Sequence, residues 1–262
     1  MSPSQNDIAK GFRALHKPQD PLILTNVWDA STASTIASLP QTRAIATASF
    51  AIAASIGVSD EELTKAQNLA SLKIIISAAH RVNPALPVTA DLQDGWDNDL
   101  PSLAASVKEA IGLGVVGCNL EDMNNAAGTL RPLDEAVARV KTVVEAAKEA
   151  GVPDFALNAR TDVLSQEGKT LDDAIVRGKA FLEAGAHTVF IWGGPKGRGV
   201  SSEEVRTLVK ELNGRLNVMM MSGDGFLGPQ EIRQLGVARV SIGPGLWFAA
   251  MNTVKQQAES LL

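Results

Sequence analysis

The chain has no tyrosine, a single cysteine and three histidines, and each shortage removes a class of chemistry. One cysteine, Cys118, excludes an intrachain disulfide and fits a reducing compartment. With only His16, His80, His187 and Cys118 to draw on, scattered along the chain, a zinc site of the His/Cys type has no ligand set. No apolar run approaches the roughly 20 residues of a membrane span. The N-terminal stretch MSPSQNDIAKGFRALHKP lacks an apolar signal core, and Asp7 interrupts any transit-peptide character; the expected address is the cytoplasm. There is no Lys/Arg-rich block, and the net charge is −5 with a pI near 5.3. Neither nucleic acid nor a membrane is expected as a partner.

What is present is a regular alternation. Apolar, β-branched segments stand at 21–29, 44–50, 87–92, 117–122, 155–161, 188–193, 217–222 and 239–245. Near-continuous apolar runs suit strands covered on both faces, as in a parallel barrel. Helical spacing lies between them: Leu133, Val137, Val140, Val144 and Ala147 recur every three or four residues, as do Leu103, Val107 and Ile111. Ser201 and Glu204 form a capping-box pattern, and Gly151, Gly185 and Gly236 stand where helices end. Eight such units in 262 residues predict one α/β domain over 1–262, a (β/α)8 TIM barrel with an extra N-terminal helix near 4–16. A doubly wound open sheet is the weaker alternative.

In such a barrel the active site lies at the C-terminal ends of the strands. Those ends carry Asp29, Ser49, Asp91, Glu121 with Asp122, Arg160 with Asp162, Ser222 with Asp224, and the turn Gly243-Pro244-Gly245; Asp60 lies in the loop after the second strand. The histidines and Cys118 all fall away from these ends. Acid–base work therefore falls to carboxylates, serine, metal-bound water or the substrate itself. A hard cation such as Mg2+ takes oxygen ligands, often one or two carboxylates plus water, and Asp91 and Glu121 on adjacent strands are the best pair for it.

Each of these residues also has a plain structural role open to it. Asp60 could cap a helix from 61, and Asp29 a helix at 31–38. Asp122 and Asp162 could pair with neighbouring strand-end groups, and Asp94 could stabilise its own turn. Cys118 reads as a small buried residue. Gly193, Gly194, Gly197 and Gly199 match neither phosphate-loop fingerprint and read as turn residues. The Gly243-Pro244-Gly245 turn is either an anion cradle at a helix start or a way out of a barrel strand.

The segments NVWDASTAS, AIATASFAIAASIGVSD, PVTADLQDGW, GVVGCNLED, FALNARTDV and LGVARVSIGPG together resemble the isocitrate lyase/phosphoenolpyruvate mutase superfamily, over about residues 20–250. They resemble most its short, lyase- and mutase-like members. The resemblance implies a (β/α)8 barrel whose last helix, here GLWFAAMNTVKQQAESLL, is swapped between the subunits of a homodimer or homotetramer. It implies Mg2+, with Mn2+ as the alternative ion, and a small carboxylate substrate of the 2-oxo or 2-hydroxy type. By the same resemblance Asp91 is the acid nearest the metal, while Asp60, Glu121 and Gln93 act on metal waters. Arg160 grips a substrate carboxylate or oxyanion, Ser49 and the amides of Phe50 and Ala51 receive the carboxylate end, and Trp192 faces the pocket.

Three departures qualify what the resemblance implies. The pattern Asp-x-Asp/Glu-x-Gly-aromatic-Gly becomes Asp91-Leu92-Gln93-Asp94-Gly95-Trp96-Asp97, so the second acid is Gln93. The segment MNNAAGTLRP has none of the Cys, Lys and His of a lyase loop. Trp192 stands where mutase-type members have histidine. Decarboxylation or retro-aldol/Claisen cleavage through an enolate is therefore the expected reaction, with Arg160, Asp60 and Glu121 as its acting residues. Phosphonopyruvate hydrolase or phosphoenolpyruvate mutase chemistry, and a catalytically weakened metabolite-binding barrel, are the alternatives. Asn124 or Asn125 would then stand in for part of the loop.

Overall fold

A computed structural model describes residues 3–194, 200–220 and 227–262. Eight parallel strands close into a barrel: β1 (Leu22–Val27), β2 (Ile45–Thr47), β3 (Val88–Asp91), β4 (Gly117–Glu121), β7 (Ala156–Thr161), β8 (Thr188–Ile191), β9 (Leu216–Met219) and β10 (Arg239–Ser241). Each pairs with the next, and β10 returns to β1. The remaining two strands, β5 (Met123–Asn124) and β6 (Thr129–Leu130), form a small antiparallel hairpin at the mouth. This is a TIM barrel. All eight expected barrel segments carry a strand, and the last residues of 217–222 lie outside the described residues.

Helices alternate with the strands and cover them: α2 (Ala30–Ala37), α3 (Ser49–Ser55), α4 (Lys65–Val82), α5 (Leu100–Gly112), α6 (Leu133–Glu149), α7 (Leu171–Glu183), α8 (Ser202–Glu211) and α9 (Pro229–Leu235). Their caps are local. Asp29 caps α2, Thr64 caps α4 and Ser201 caps α8, each in a capping box. The N-terminal α1 (Gln5–Ala14) starts on a Ser4–Asp7 capping box and buries Ala9 and Phe12 completely. It closes the N-terminal end of the barrel. Phe12 packs over Gly117, where a β-carbon would lie 3.0 Å from the ring and 2.6 Å from the Ala156 carbonyl oxygen. His16 meets His187 edge-on at 4.8 Å.

Inside the strands runs a buried polar layer. Asn158 donates to Asn119 Oδ1 (2.8 Å), Thr188 donates to Asn158 Oδ1 (2.7 Å), and Arg239 Nη2 donates to Asn119 Oδ1 (3.1 Å). Burial holds the Arg239 guanidinium down at about 10.

Two elements differ from expectation. The strand expected at 44–50 stops at Thr47, and Ser49 opens α3. The run SFAIAAS is apolar enough to read as strand, but its alanines favour helix, and the turn buries Ala51, Ile52 and Ala53. The expected last strand likewise ends at Ser241, and α10 (Gly245–Leu261) follows. It buries none of its residues and leaves Phe248, Met251, Val254 and Leu261 exposed. Among the described residues no helix is long and apolar enough to cross a membrane.

Candidate active site

The site begins with the turn after β3. Asp91 ends the strand, and the chain then passes through left-handed backbone at Gln93 (φ 49°), Gly95 (φ 85°) and Trp96 (φ 59°). A side chain at Gly95 would be strained by its left-handed backbone and would put its β-carbon 2.4 Å from Leu103 Cδ1, so glycine is strongly favoured there. Positive φ at Gln93 and Trp96 is uncommon for residues with side chains and is held by tertiary bonds. Trp96 N–H donates to Asp94 Oδ1 (3.0 Å) and its indole N–H to the Leu63 carbonyl (3.2 Å). Asp91 Oδ2 accepts from the Ser49 amide (3.1 Å), while its own amide donates to Thr47 Oγ1 (2.9 Å).

Gln93 points the other way from Asp94. Its amide nitrogen donates to both the carbonyl oxygen (2.8 Å) and Oδ1 (2.9 Å) of Asp60. Asp60 therefore caps no helix; Thr64 does, and the Asp60 carboxyl is held at the cavity. Burial and the nearby Asp91 charge raise its pKa to about 6, against hydrogen bonds from Ser49 and Gln93.

Across the mouth, the β4–β7 register sets Glu121 beside Arg160. Arg160 donates Nη1–H to Glu121 Oε1 (2.8 Å), Nε–H to Asp162 Oδ1 (2.6 Å) and Nη2–H to Asp162 Oδ2 (2.8 Å). Three of its N–H groups are thus committed and two remain. Burial opposes the guanidinium charge, but Asp162 and Glu121 outweigh it and hold its pKa above the ordinary value. Burial pushes Glu121 well above the usual carboxylate range against the pull of Arg160, with Asp162, Asp91 and Asp60 adding to the rise. The Trp192 ring lies 4.7 Å from the guanidinium carbon and the Phe190 ring 5.7 Å, both within cation–π range. Behind Arg160, Asp122 accepts from the Asp162 amide (2.9 Å) and from Arg177 (2.9 Å). Asp162 and Asp122 are therefore positioning groups.

These side chains open on one cavity of about 730 Å3, lined among others by Ser49, Phe50, Asp60, Asp91, Gln93, Glu121, Arg160 and Trp192. Every expected site residue lines it except Ala51, which is completely buried inside α3. Only the Ala51 backbone, in the first turn of the helix, retains an amide without an intrahelical acceptor. Ser222, Asp224, Gly197 and Gly199 lie outside the described residues. Unforeseen lining came from Asn26, Asn119, Phe248 and the hairpin residues Met123 and Gly128, while Asn125, not Asn124, is the expected loop residue that reaches the cavity. Asn26 Oδ1 fastens the exit of β10 by accepting from the Ile242 (3.0 Å) and Gly243 (2.9 Å) amides. Cys118 is buried and its thiol plays no part.

The residues fit a hard cation. The described lining carries Asp60, Glu61, Asp91, Glu121 and Asp162 against the single guanidinium of Arg160. That surplus adds to the burial that raises Asp60 and Glu121. Among the described residues no three His, Cys, Asp or Glu side chains converge into a cage. What the lining offers is carboxylate oxygen from separate positions, the kind of donor that Mg2+ takes together with water.

Comparison with known proteins agrees with this architecture. The family model for phosphoenolpyruvate phosphomutase matches residues 12–262. The chain is 30% identical to 2-methylisocitrate lyase of Escherichia coli over 69% of its own length and 60% of that enzyme's, so it spans less than two thirds of this relative. It is 30% identical to 2,3-dimethylmalate lyase of Eubacterium barkeri over 83% of its length and 72% of that enzyme's. A solved structure of a phosphonomutase-like protein of Burkholderia cenocepacia superposes with a TM-score of 0.87 at 34% identity, covering 98% of this chain and 99% of that one.

Proposed function

Since the chain belongs to the isocitrate lyase/phosphoenolpyruvate mutase superfamily, we propose that it is a Mg2+-dependent lyase. It cleaves a carbon–carbon bond of a small 2-oxo or 2-hydroxy carboxylate, by decarboxylation or retro-aldol/Claisen cleavage, through an enolate. One observation carries the reading: Asp60, Asp91 and Glu121 line one cavity with an acid surplus, and Arg160, paired with Glu121, opens on the same cavity.

Asp91 would hold Mg2+ directly, and Asp60, Glu121 and Gln93 through water. When bound, the ion supplies positive charge where the carbonyl oxygen becomes negative, several kcal/mol of stabilisation. The protein's own groups do the rest. Arg160, locked by Asp162, offers its two free N–H groups in a fixed direction, which orients the substrate as well as balancing charge. The first-turn amides of Phe50 and Ala51 receive the carboxylate end. Trp192 packs its ring against the guanidinium, 4.7 Å from its carbon, and helps to fix its position. Asp60 and Glu121, both raised by burial in the metal-free protein, are the lining carboxyls best placed to hold or release a proton. The hairpin at the mouth supplies no thiol, amine or imidazole, so no acid comes from it.

Phosphonate chemistry is the second reading, favoured by the family model that matches the chain. The acid surplus of the lining bears on both readings alike, since either substrate is an anion, and the panel below separates them. We further assign the cytoplasm as the working compartment, one barrel domain over 1–262, and a homodimer or homotetramer in which the apolar stripe of α10 packs on a second copy.

The test is a panel of 2-oxo and 2-hydroxy acids with Mg2+ or Mn2+. Substrate loss that EDTA and Asp91→Ala both abolish supports the lyase. Phosphate release from phosphonopyruvate selects the second reading instead. No turnover while oxalate still binds marks a metabolite-binding barrel and overturns both.

A further inference from the structure

Asn119 lines the cavity and is none of the expected site residues. The strand register sets it beside Asp91 on β3 and Asn158 on β7, two residues deeper into the barrel than the Glu121–Arg160 pair. Its carboxamide has an acceptor oxygen at one end and a donor nitrogen at the other. Which end faces the cavity decides what can bind above it.

The direction is set by a buried cation. Arg239 enters from β10, the strand opposite β4 in the barrel, and donates Nη2–H to Asn119 Oδ1 at 3.1 Å. A guanidinium carries donors only, so the Asn119 oxygen has to turn toward it. The same oxygen accepts from Asn158 Nδ2 (2.8 Å), and Asn158 therefore presents its own oxygen to Thr188 Oγ1, which donates to it (2.7 Å). One charged donor thus fixes the sense of the whole row. Without it the row is free to run the other way, because a hydroxyl accepts as well as it donates. Arg239 Nε and Nη1 are buried without a partner among the described residues. A desolvated cation with so few partners contributes little to stability, so the bond to Asn119 stands out as what the charge is there to make.

With Oδ1 doubly engaged, the end of Asn119 left over is Nδ2. It donates to no acceptor among the described residues, and it is not one of the sealed, partnerless atoms. It stays accessible, and the space on which Asn119 opens is the cavity. An N–H cannot ligate a cation. It is a neutral donor beside Asp91, and its partner has to be an oxygen.

Resting on the lyase reading above, we propose that Asn119 is a substrate-binding residue whose Nδ2–H donates to an oxygen of the acid head, and that Arg239 is the positioning residue that holds it in that sense. The group above Asn119 is then a carboxylate, carbonyl or hydroxyl oxygen. An ammonium there is excluded, since it would set N–H against N–H.

Oxalate tests this, by calorimetry on the full chain with Mg2+ and by a crystal structure of the same complex. The structure should place an oxalate oxygen about 2.7–3.2 Å from Asn119 Nδ2. Asn119→Ala and Asn119→Asp should each weaken oxalate about tenfold or more, the loss of a hydrogen bond to a charged group. Only the second changes the charge, and it keeps an acceptor for Arg239 and Asn158, so the fold stands. Arg239→Met should weaken oxalate in the wild-type background and have no further effect in Asn119→Ala, because Arg239 acts through the carboxamide. Arg239→Lys, which keeps a donor-only head group, should retain the affinity that Arg239→Met loses. Oxalate that binds Mg2+-dependently and equally well to Asn119→Ala overturns the donor and leaves the lyase reading standing. Losses that add in the double variant overturn Arg239 as the positioning residue. A wild type that binds no oxalate with Mg2+ removes the lyase reading and this one with it.

Discussion

The Gln93 side-chain nitrogen lies 2.8 Å from the Asp60 carbonyl oxygen and 2.9 Å from its carboxylate, bridging 33 residues of sequence. Where the superfamily pattern has a second acid, this chain has a donor that holds another acid in place. The amide removes one negative charge from the floor and ties the Asp60 loop to the β3 turn. Asp60 keeps a pKa of about 6, and a carboxylate at 93 would push it higher.

Gln93→Glu should therefore trade stability for metal affinity. It replaces a donor by a charge facing Asp60, which costs the metal-free protein a few kcal/mol at the effective dielectric of a partly buried site. At this chain length that is a fall of several degrees in Tm. Mg2+ should restore the loss, and its Kd should tighten by roughly tenfold, a change of about 1.4 kcal/mol. Scanning fluorimetry with and without Mg2+, together with a titration, reads both. An unchanged Kd would remove Gln93 from any role near the ion.

Arg160→Lys should separate charge from direction. Lysine keeps the positive charge but cannot span both oxygens of Asp162, so the remaining donor no longer points reproducibly into the cavity. We expect kcat/KM to fall about a hundredfold, roughly 2.7 kcal/mol. Mg2+ affinity should change far less. An effect on the metal as large as that on kcat/KM would mean that Arg160 organises the acidic floor rather than the substrate.

The opposite end of the barrel has its own pH dependence. Burial, and then the charge of Arg13, lower His187 to about 4. Unfolded, it titrates near 6.5. Between these values the unfolded chain holds more protons than the folded one, so stability rises with pH through this window. The full span is worth roughly 3 kcal/mol, present above 6.5 and lost as pH falls toward 4. Asp60 and Asp122, raised to about 6, run the other way. The stability difference between wild type and His187→Gln cancels them. That difference should move against the wild type as pH drops from 7.5 to 4.5 in urea unfolding. A flat difference would show that His187 is not held neutral.

Much of this was legible because parallel barrel strands are buried on both faces and announce themselves as apolar runs. Asp91, Glu121 and Arg160 are readable for the same reason, as polar residues that end such runs. The interior layer of Asn119, Asn158, Thr188 and Arg239 was not, because its partners lie on different strands and only closure of the barrel brings them together. Asp60 read equally well as a helix cap, since its tie to Gln93 is a long-range contact. The start of α3 was hidden because SFAIAAS continues the apolar run of β2. The hairpin was hidden because two-residue strands carry no periodicity, and what holds it comes from elsewhere.

That anchor is Asp94, which had a local turn role from sequence and has a longer reach in the fold. Its Oδ1 accepts from the Trp96 amide (3.0 Å). Its Oδ2 accepts from the Asn125 amide (3.0 Å) and lies 3.4 Å from Arg131, which also pairs with Glu135. One carboxylate thus fixes both the β3 turn and the hairpin that roofs the cavity. Asp94→Asn can keep the first bond through its oxygen, but it turns an N–H toward the Asn125 amide and Arg131. Arg131, whose side chain is 2% exposed, then loses part of its charge compensation, a loss of up to about 3 kcal/mol when a buried pair is broken. We expect hydrogen exchange at 123–130 to quicken by tenfold or more while the barrel strands stay protected. KM should rise more than kcat falls, because the hairpin lines the cavity without supplying a reacting group. Exchange that quickens equally across β3, β4 and β7 would mean that Asp94 supports the barrel as a whole, and that the hairpin is not its particular charge.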